Sequence, residues 1–231
     1  MIRGLLVLLL LLSACGDDDV GGTFALGDRT LLVDGAGVAL DEGFALAPLG
    51  PRIARFELEA NGPFAIWEFA RENETRSEST LSAASVDGNV VVLEYRGDGD
   101  AGPFAGVLRI EQESAERTVF RFQLSEGEAS SIAIPVRCDD AGSFHGFGVQ
   151  YDGTDLRGEQ FDLLSSEQGI GRDGRLRALG GDAHTTYFAM PYYLDGRGHG
   201  VLFRTDELVQ VDLCAEDEDV AWIDVVAEHD D

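Results

Sequence analysis

The chain has 231 residues, 44% of them hydrophobic, with 29 Gly, 6 Pro and a formal net charge of −26. That composition is globular, and its size suits one domain of about 200 residues rather than a multidomain enzyme. All 17 basic residues are Arg. So acidic a surface excludes nucleic acid as a partner, because phosphate binding needs clustered cations, and it excludes electrostatic docking on anionic lipid. The lack of Lys fits either adaptation to high salt or a GC-rich genome, and composition does not separate the two.

The first element in chain order is an address. Arg3 precedes an unbroken apolar run from Leu5 to Leu12, followed by Ser13-Ala14-Cys15-Gly16. One positive charge, a short apolar stretch and small residues before a cleavage point make a secretory signal over residues 1–14. The run is too short to span a bilayer, which takes about 20 apolar residues. Leu12-Ser13-Ala14-Cys15 resembles the bacterial lipobox, in which cleavage precedes the Cys and a diacylglycerol is attached to its thiol. Residues 15–22, with Asp17-Asp18-Asp19, then read as a lipidated Cys15 and an acidic tether. The expected protein is an exported bacterial lipoprotein, periplasmic or at the cell surface, that meets the membrane through its lipid. With Cys15 acylated, Cys138 and Cys214 remain as either one disulfide or two buried thiols.

Strand signals fill residues 23–231. Arg29 to Val33 and Val38 to Leu40 flank the turn signal Asp34-Gly35. Arg52 to Ala60 alternates, Asn61-Gly62-Pro63 interrupts, and Phe64 to Ala70 resumes. Predicted strands follow at Asn89 to Tyr95, Gly106 to Glu111, Thr118 to Leu124 and Ser131 to Val136, then at Thr185 to Leu194, Gly200 to Arg204, Leu208 to Leu213 and Ala221 to Val226. The spacing of about a dozen residues predicts an all-β, antiparallel sandwich. The Gly-, Asp- and Arg-rich stretch 139–183 shows no pattern. Long irregular loops in compact domains more often carry function than not, so the chemistry is expected there.

Motifs in isolation are weak. Gly169-Ile170-Gly171-Arg172-Asp173-Gly174 spells a dinucleotide fingerprint, but no strand precedes it and no helix follows. Asp98-Gly99-Asp100 starts like a calcium loop, but Arg109 stands where the bidentate Glu belongs, so a solvated turn is expected. Glu216 to Asp219 reads as an exposed acidic loop. His145, His184, His199 and His229 lack metal-ligand spacing. Neither a metal nor a cofactor is expected.

Four pieces in order carry a resemblance. Phe144-His145-Gly146-Phe147-Gly148-Val149-Gln150 resembles the F-Y-G-L-G-E-Q strand end of family 31 glycoside hydrolases. Asp155-Leu156-Arg157-Gly158, then Ser166-Glu167-Gln168-Gly169-Ile170-Gly171-Arg172, resemble the branch with sulfoquinovosidases and related α-glucosidases. Thr185-Thr186-Tyr187, Met190 to Leu194 and Arg197 to Phe203 resemble the next two strands. Val149 stands where the family has Glu, and Leu164 where an aromatic is common.

The resemblance implies an N-terminal, galactose-mutarotase-like β-sandwich that packs beside a (β/α)₈ barrel and sends one loop to the rim of the sugar pocket. Carbohydrate is then the ligand. Asp155, Arg157, Glu167, Gln168 and Arg172 are the candidates for the loop, with Glu167 at the sugar-contacting position; Glu167 and Arg172 acting only as braces is the alternative. The family's catalytic Asp nucleophile and acid belong to the barrel, so no residue here is nominated as catalytic. Two functional readings follow: the lipid-anchored N-terminal part of an α-glycosidase, with a barrel encoded downstream, or a free-standing carbohydrate-binding or interaction module. If residues 150–174 lie across a barrel mouth in the whole enzyme, then without the barrel Phe161, Leu163, Leu164 and Ile170 are expected to be partly exposed, as an apolar patch rimmed by Asp155, Arg157, Glu167 and Arg172.

Overall fold

The computed structural model describes residues 20–34, 37–40, 43–61, 68–138, 142–150, 153–165 and 184–226. Among these there are sixteen strands and no helix. In chain order they are β1 (Gly22–Leu26), β2 (Arg29–Asp34), β3 (Gly37–Leu40), β4 (Ala45–Leu46), β5 (Arg52–Asn61), β6 (Glu68–Asp87), β7 (Val90–Gly99) and β8 (Phe104–Ser114). Then come β9 (Arg117–Glu126), β10 (Ser131–Arg137), β11 (Phe144–Gly148), β12 (Gln160–Leu163), β13 (Ala189–Asp195), β14 (Gly200–Leu202), β15 (Val209–Asp217) and β16 (Val220–Val226).

The strands form an antiparallel sandwich. Thirteen belong to one long sheet running β1-β2-β3-β4-β10-β5-β6-β7-β8-β9, with β16, β15 and β12 branching from β10. The other three form a small sheet, β11-β13-β14. The long sheet curls, so that Leu26, Leu31 and Val33 of its first strands share one core with Val91, Leu93, Leu108 and Ile110 of β7 and β8. The same core takes Phe144, Phe147 and Tyr193 from the small sheet. Alternation drives this: in β7, Val91, Leu93 and Tyr95 are buried while Glu94 and Arg96 are exposed.

Two regions depart from the sequence pattern. The structure extends β6 through residues 71–87, where no strand was predicted. Its inward residues Ser77 and Ser79 are small and polar because backbone passes close to each, Gly50-Pro51 at Ser79 and Gly99 to Gly102 at Ser77; Ser79 Oγ donates to Pro51 O and Ser77 Oγ to Gly102 O at 2.8 Å. Hydrophobic alternation is absent where hydroxyls, not methyls, do the inward bonding. Strands β11 and β12 likewise lie inside the patternless stretch 139–183. The predicted strand at Thr185 starts only at Ala189, because Thr186 Oγ1 accepts the Phe188 N–H at 3.2 Å and closes a turn.

The two cysteines are joined. A disulfide links Cys138, just after β10, to Cys214 in β15, with Cα atoms 6.4 Å apart.

Candidate functional site

The motif Phe144–Gln150 builds the floor of the candidate region. β11 pairs with β13, but the register shifts between Gly146 and Gly148. Phe147 there has φ +59°, a left-handed value unusual for a side-chain-bearing residue. The bulge turns the Phe147 ring into the core, where it stacks on Tyr193 at 5.4 Å and meets Phe161 edge-on at 5.5 Å. Gly148 is required: its φ is +94°, and a Cβ there would lie 1.9 Å from Phe188 O.

The next segment folds back over this floor. Leu156 N–H donates to Phe144 O at 2.9 Å and Gly158 N–H to Leu213 O at 2.7 Å. Asp155 Oδ1 accepts from Phe144 N and Arg157 N, both at 3.1 Å. Arg157 donates through Nη1 to Gly142 O at 3.2 Å and through Nη2 to Glu218 O at 3.0 Å. Of the sequence candidates, these two are therefore brought together, and both bond backbone of their own domain. Glu167, Gln168 and Arg172 lie outside the described residues, as do Cys15 and Ile170.

The expected apolar patch is corrected in part. Phe161 and Leu163 are buried, because β12 pairs with β15 and turns both side chains inward. Exposed apolar surface lies instead along the small sheet, at Val149, Tyr187, Phe188, Leu194 and Leu202, the last 59% exposed.

Sequence reading missed the residues that fix both ends of the segment carrying Glu167. His184 stacks on Phe161 at 4.6 Å, with its Nε2 3.2 Å from Glu159 Oε2. Ser165 bridges to Thr186, and Ser165 Oγ accepts the Ala189 N–H at 3.2 Å. Ser165 and Thr186 are therefore neighbours beside the Phe147 bulge. No spacing signal exists for a pair so far apart in sequence.

A clasp closes the far end of the small sheet. Asp195 Oδ1 accepts from Arg197 N at 2.9 Å and His199 N at 2.8 Å, Asp195 Oδ2 lies 2.7 Å from His199 Nδ1, and Arg197 donates to Gly43 O. The crevice it borders, lined also by Phe44, Phe144 and Tyr193, measures about 10 Å³. That is room for one water and not for a hexose. Burial, with Asp195 as a lesser contribution, pushes the Tyr193 phenol well above the ordinary tyrosine range; burial alone does the same at Tyr95. Among the described residues no group of three His, Cys, Asp or Glu could hold a metal ion. Asp98 caps its own turn, accepting the Gly99 N–H at 2.9 Å. Among the described residues no helix is long and apolar enough to cross a membrane.

No protein-family model and no curated protein matches the chain. Solved structures do. A GH31 family sulfoquinovosidase from E. rectale, solved with an aza-sugar inhibitor, superposes with a TM-score of 0.66 at 14% identity, over 92% of this chain and 30% of that one. The chain carries a fold found in family 31 glycoside hydrolases. A Flavobacterium johnsoniae GH31 dextranase complexed with glucose matches over 90% of this chain and 25% of that one, with a TM-score of 0.36 at 10% identity. This family 31 fold thus spans less than a third of the length of the enzymes it matches. The all-β, antiparallel architecture expected from strand spacing is the one present.

Proposed function

We propose that the chain is the β-sandwich part of an exported family 31 α-glycosidase, working beside a (β/α)₈ barrel and lending a loop to its sugar pocket. The observation that carries this reading is the superposition on the sulfoquinovosidase over 92% of the chain, with the four sequence motifs in family order. In this reading Glu167 accepts hydrogen bonds from sugar hydroxyls, a role suited to a carboxylate's two oxygens. The paired ends of its segment, at Ser165 and Thr186, hold the loop base in place. Cys15 carries the lipid, and residues 16–22 tether the domain to the membrane.

The test is to express the chain with the polypeptide encoded immediately downstream. The reading expects a complex that hydrolyses an aryl α-glycoside, and a Glu167→Gln change that raises KM more than it lowers kcat. A downstream polypeptide without barrel strands, or no complex, contradicts it. Lipid labelling checks the anchor: the Cys15→Ser variant stays unprocessed and unlabelled, and normal labelling of that variant removes the lipoprotein assignment.

One observation favours the second reading, a free-standing lipid-anchored carbohydrate-binding module. Asp155 and Arg157 bond backbone groups of this same domain, so the loop base is built without a second domain. Sugar binding by the chain alone, measured by titration calorimetry with neutral oligosaccharides and lost in Glu167→Ala, separates the module from the split enzyme.

A further inference from the structure

The Cys138–Cys214 disulfide sits where it controls more than global stability. β15 and β16 pair in register from Val209 to Leu213, and the pairing resumes only at Asp217. The intervening bulge starts at Cys214, whose φ is +65°. A left-handed conformation is strained for any residue with a side chain, and such strain persists only where the surroundings impose it. Two devices hold this bulge. One is the bond to Cys138, whose own N–H donates to Asp219 O at 2.8 Å across the β15–β16 turn. The other is the buried Asp212, whose Oδ1 accepts the Ala215 N–H at 2.7 Å.

The loop base rests directly on this bulge. Gly158 N–H donates to Leu213 O, and Leu213 N–H donates to Glu159 O at 2.9 Å. Arg157 reaches Glu218 O in the turn beyond, and Gln160 Nε2 donates to Asp212 Oδ2 at 2.7 Å. Four contacts from residues 157–160 therefore end on the stretch 212–218, which the disulfide braces at its only left-handed residue. The rest of the sheet does not depend on it: β10 and β16 pair through seven consecutive residues, and β7, β8 and β9 lie elsewhere.

We propose that the Cys138–Cys214 disulfide is a redox-sensitive clasp that holds the 212–218 bulge, and through it residues 156–160, in place. Reduction by a dithiol breaks the S–S bond and gives two thiols, while the dithiol closes to its own disulfide; two electrons and two protons pass to the protein. Cys214 then relaxes out of the left-handed region, and the shelf under Arg157 and Gly158 loosens while the sandwich stays folded. The inference concerns local structure and stands whether or not the chain serves a glycosidase.

Amide hydrogen exchange on the full chain, oxidised and after dithiothreitol, tests it. The amides of Leu156, Gly158, Glu159, Leu213 and Ala215 exchange about tenfold faster when reduced, the factor matching relief of one left-handed residue, while β7 to β9 are unchanged. A paired comparison isolates the strain. Cys138→Ala/Cys214→Gly retains protection in these amides, because Gly adopts positive φ freely, whereas Cys138→Ala/Cys214→Ala loses it. Unchanged exchange on reduction, global unfolding on reduction, or equal behaviour of the Gly and Ala variants each overturns the proposal.

Discussion

Removing the carboxylate of Asp224 probes the polar interior of the long sheet. Asp224 of β16 accepts a bond from Arg71 Nη1 at 2.8 Å, and both side chains are only 9% exposed. Arg71 also lies over the Phe56 ring at 4.4 Å, so this pair ties the β5–β6 arm to β16. Next to it Arg52 stacks on Trp222 at 4.0 Å. The Arg52 guanidinium is pushed below its ordinary range, chiefly by burial and next by Arg76, with Asp224 the first of the acids that oppose the shift. Breaking a buried pair by deleting one partner costs about 3–5 kcal/mol, because a desolvated charge is left behind. Glu74 lies 3.8 Å from Arg71 Nη1 and takes up part of that burden, which points to the lower end, about 3 kcal/mol. For a domain of this size that corresponds to a Tm lower by about 6–12 °C. The assay is thermal unfolding of Asp224→Ala followed by circular dichroism, with Arg71→Met/Asp224→Leu alongside. The double variant recovers most of the loss, since apolar replacement of both partners leaves no charge buried. A drop under about 2 °C in the single variant, or a double variant as unstable as the single, refutes the reasoning.

Further outcomes follow from the same structure. Gly148→Ala drives a Cβ into Phe188 O at a left-handed residue and destabilises by more than about 2 kcal/mol in denaturant titration, whereas Gly88→Ala, with open space around it, costs about 1. Asp155→Ala removes an acceptor shared by two N–H groups and lowers stability by about 1–2 kcal/mol in the same assay. Alkaline stability is governed by Tyr95 and Tyr193, whose folded-state pKa values are raised by burial. Each keeps its proton when folded and loses it when unfolded, so their contribution is intact below the unfolded value of about 10. It falls above that pH by about 1.4 kcal/mol per unit for each residue. Alkaline unfolding followed by near-ultraviolet absorbance shifts to higher pH in Tyr95→Phe, and no shift removes the linkage.

Where apolar side chains alternate, sequence and structure agree closely. Val91, Leu93 and Tyr95 in β7 announce their strand because its inward face is filled by hydrocarbon. β6 was hidden because its inward residues are serines whose hydroxyls bond a crossing backbone, and β11 because Phe147 is turned inward by a bulge rather than by pleat. The glycines of the Phe144–Gln150 motif were visible as a resemblance, and the structure supplies their reason in the close approach of the Tyr192-Tyr193 backbone to Gly146 and of Phe188 O to Gly148. Asp155 and Arg157 show the limit of reading roles from position. A carboxylate two residues before an arginine in a Gly-rich loop looks equally like a binding pair or a turn brace, and the structure adds that both side chains bond backbone of their own domain, at Phe144 N, Gly142 O and Glu218 O. The Cys138–Cys214 link and the Arg71–Asp224 pair join residues 76 and 153 positions apart, a proximity that exists only once the sheet has formed.

Activity decides whether this fold works beside a barrel in a glycosidase, as proposed. The purified chain alone and the chain mixed with the downstream polypeptide are each given an aryl α-glucoside. The account predicts no turnover by the chain alone, since glycoside cleavage needs two carboxylates flanking the bond at fixed separation and the family places both in the barrel, and it predicts turnover by the mixture. Turnover by the chain alone, abolished by a point change within it, contradicts the account.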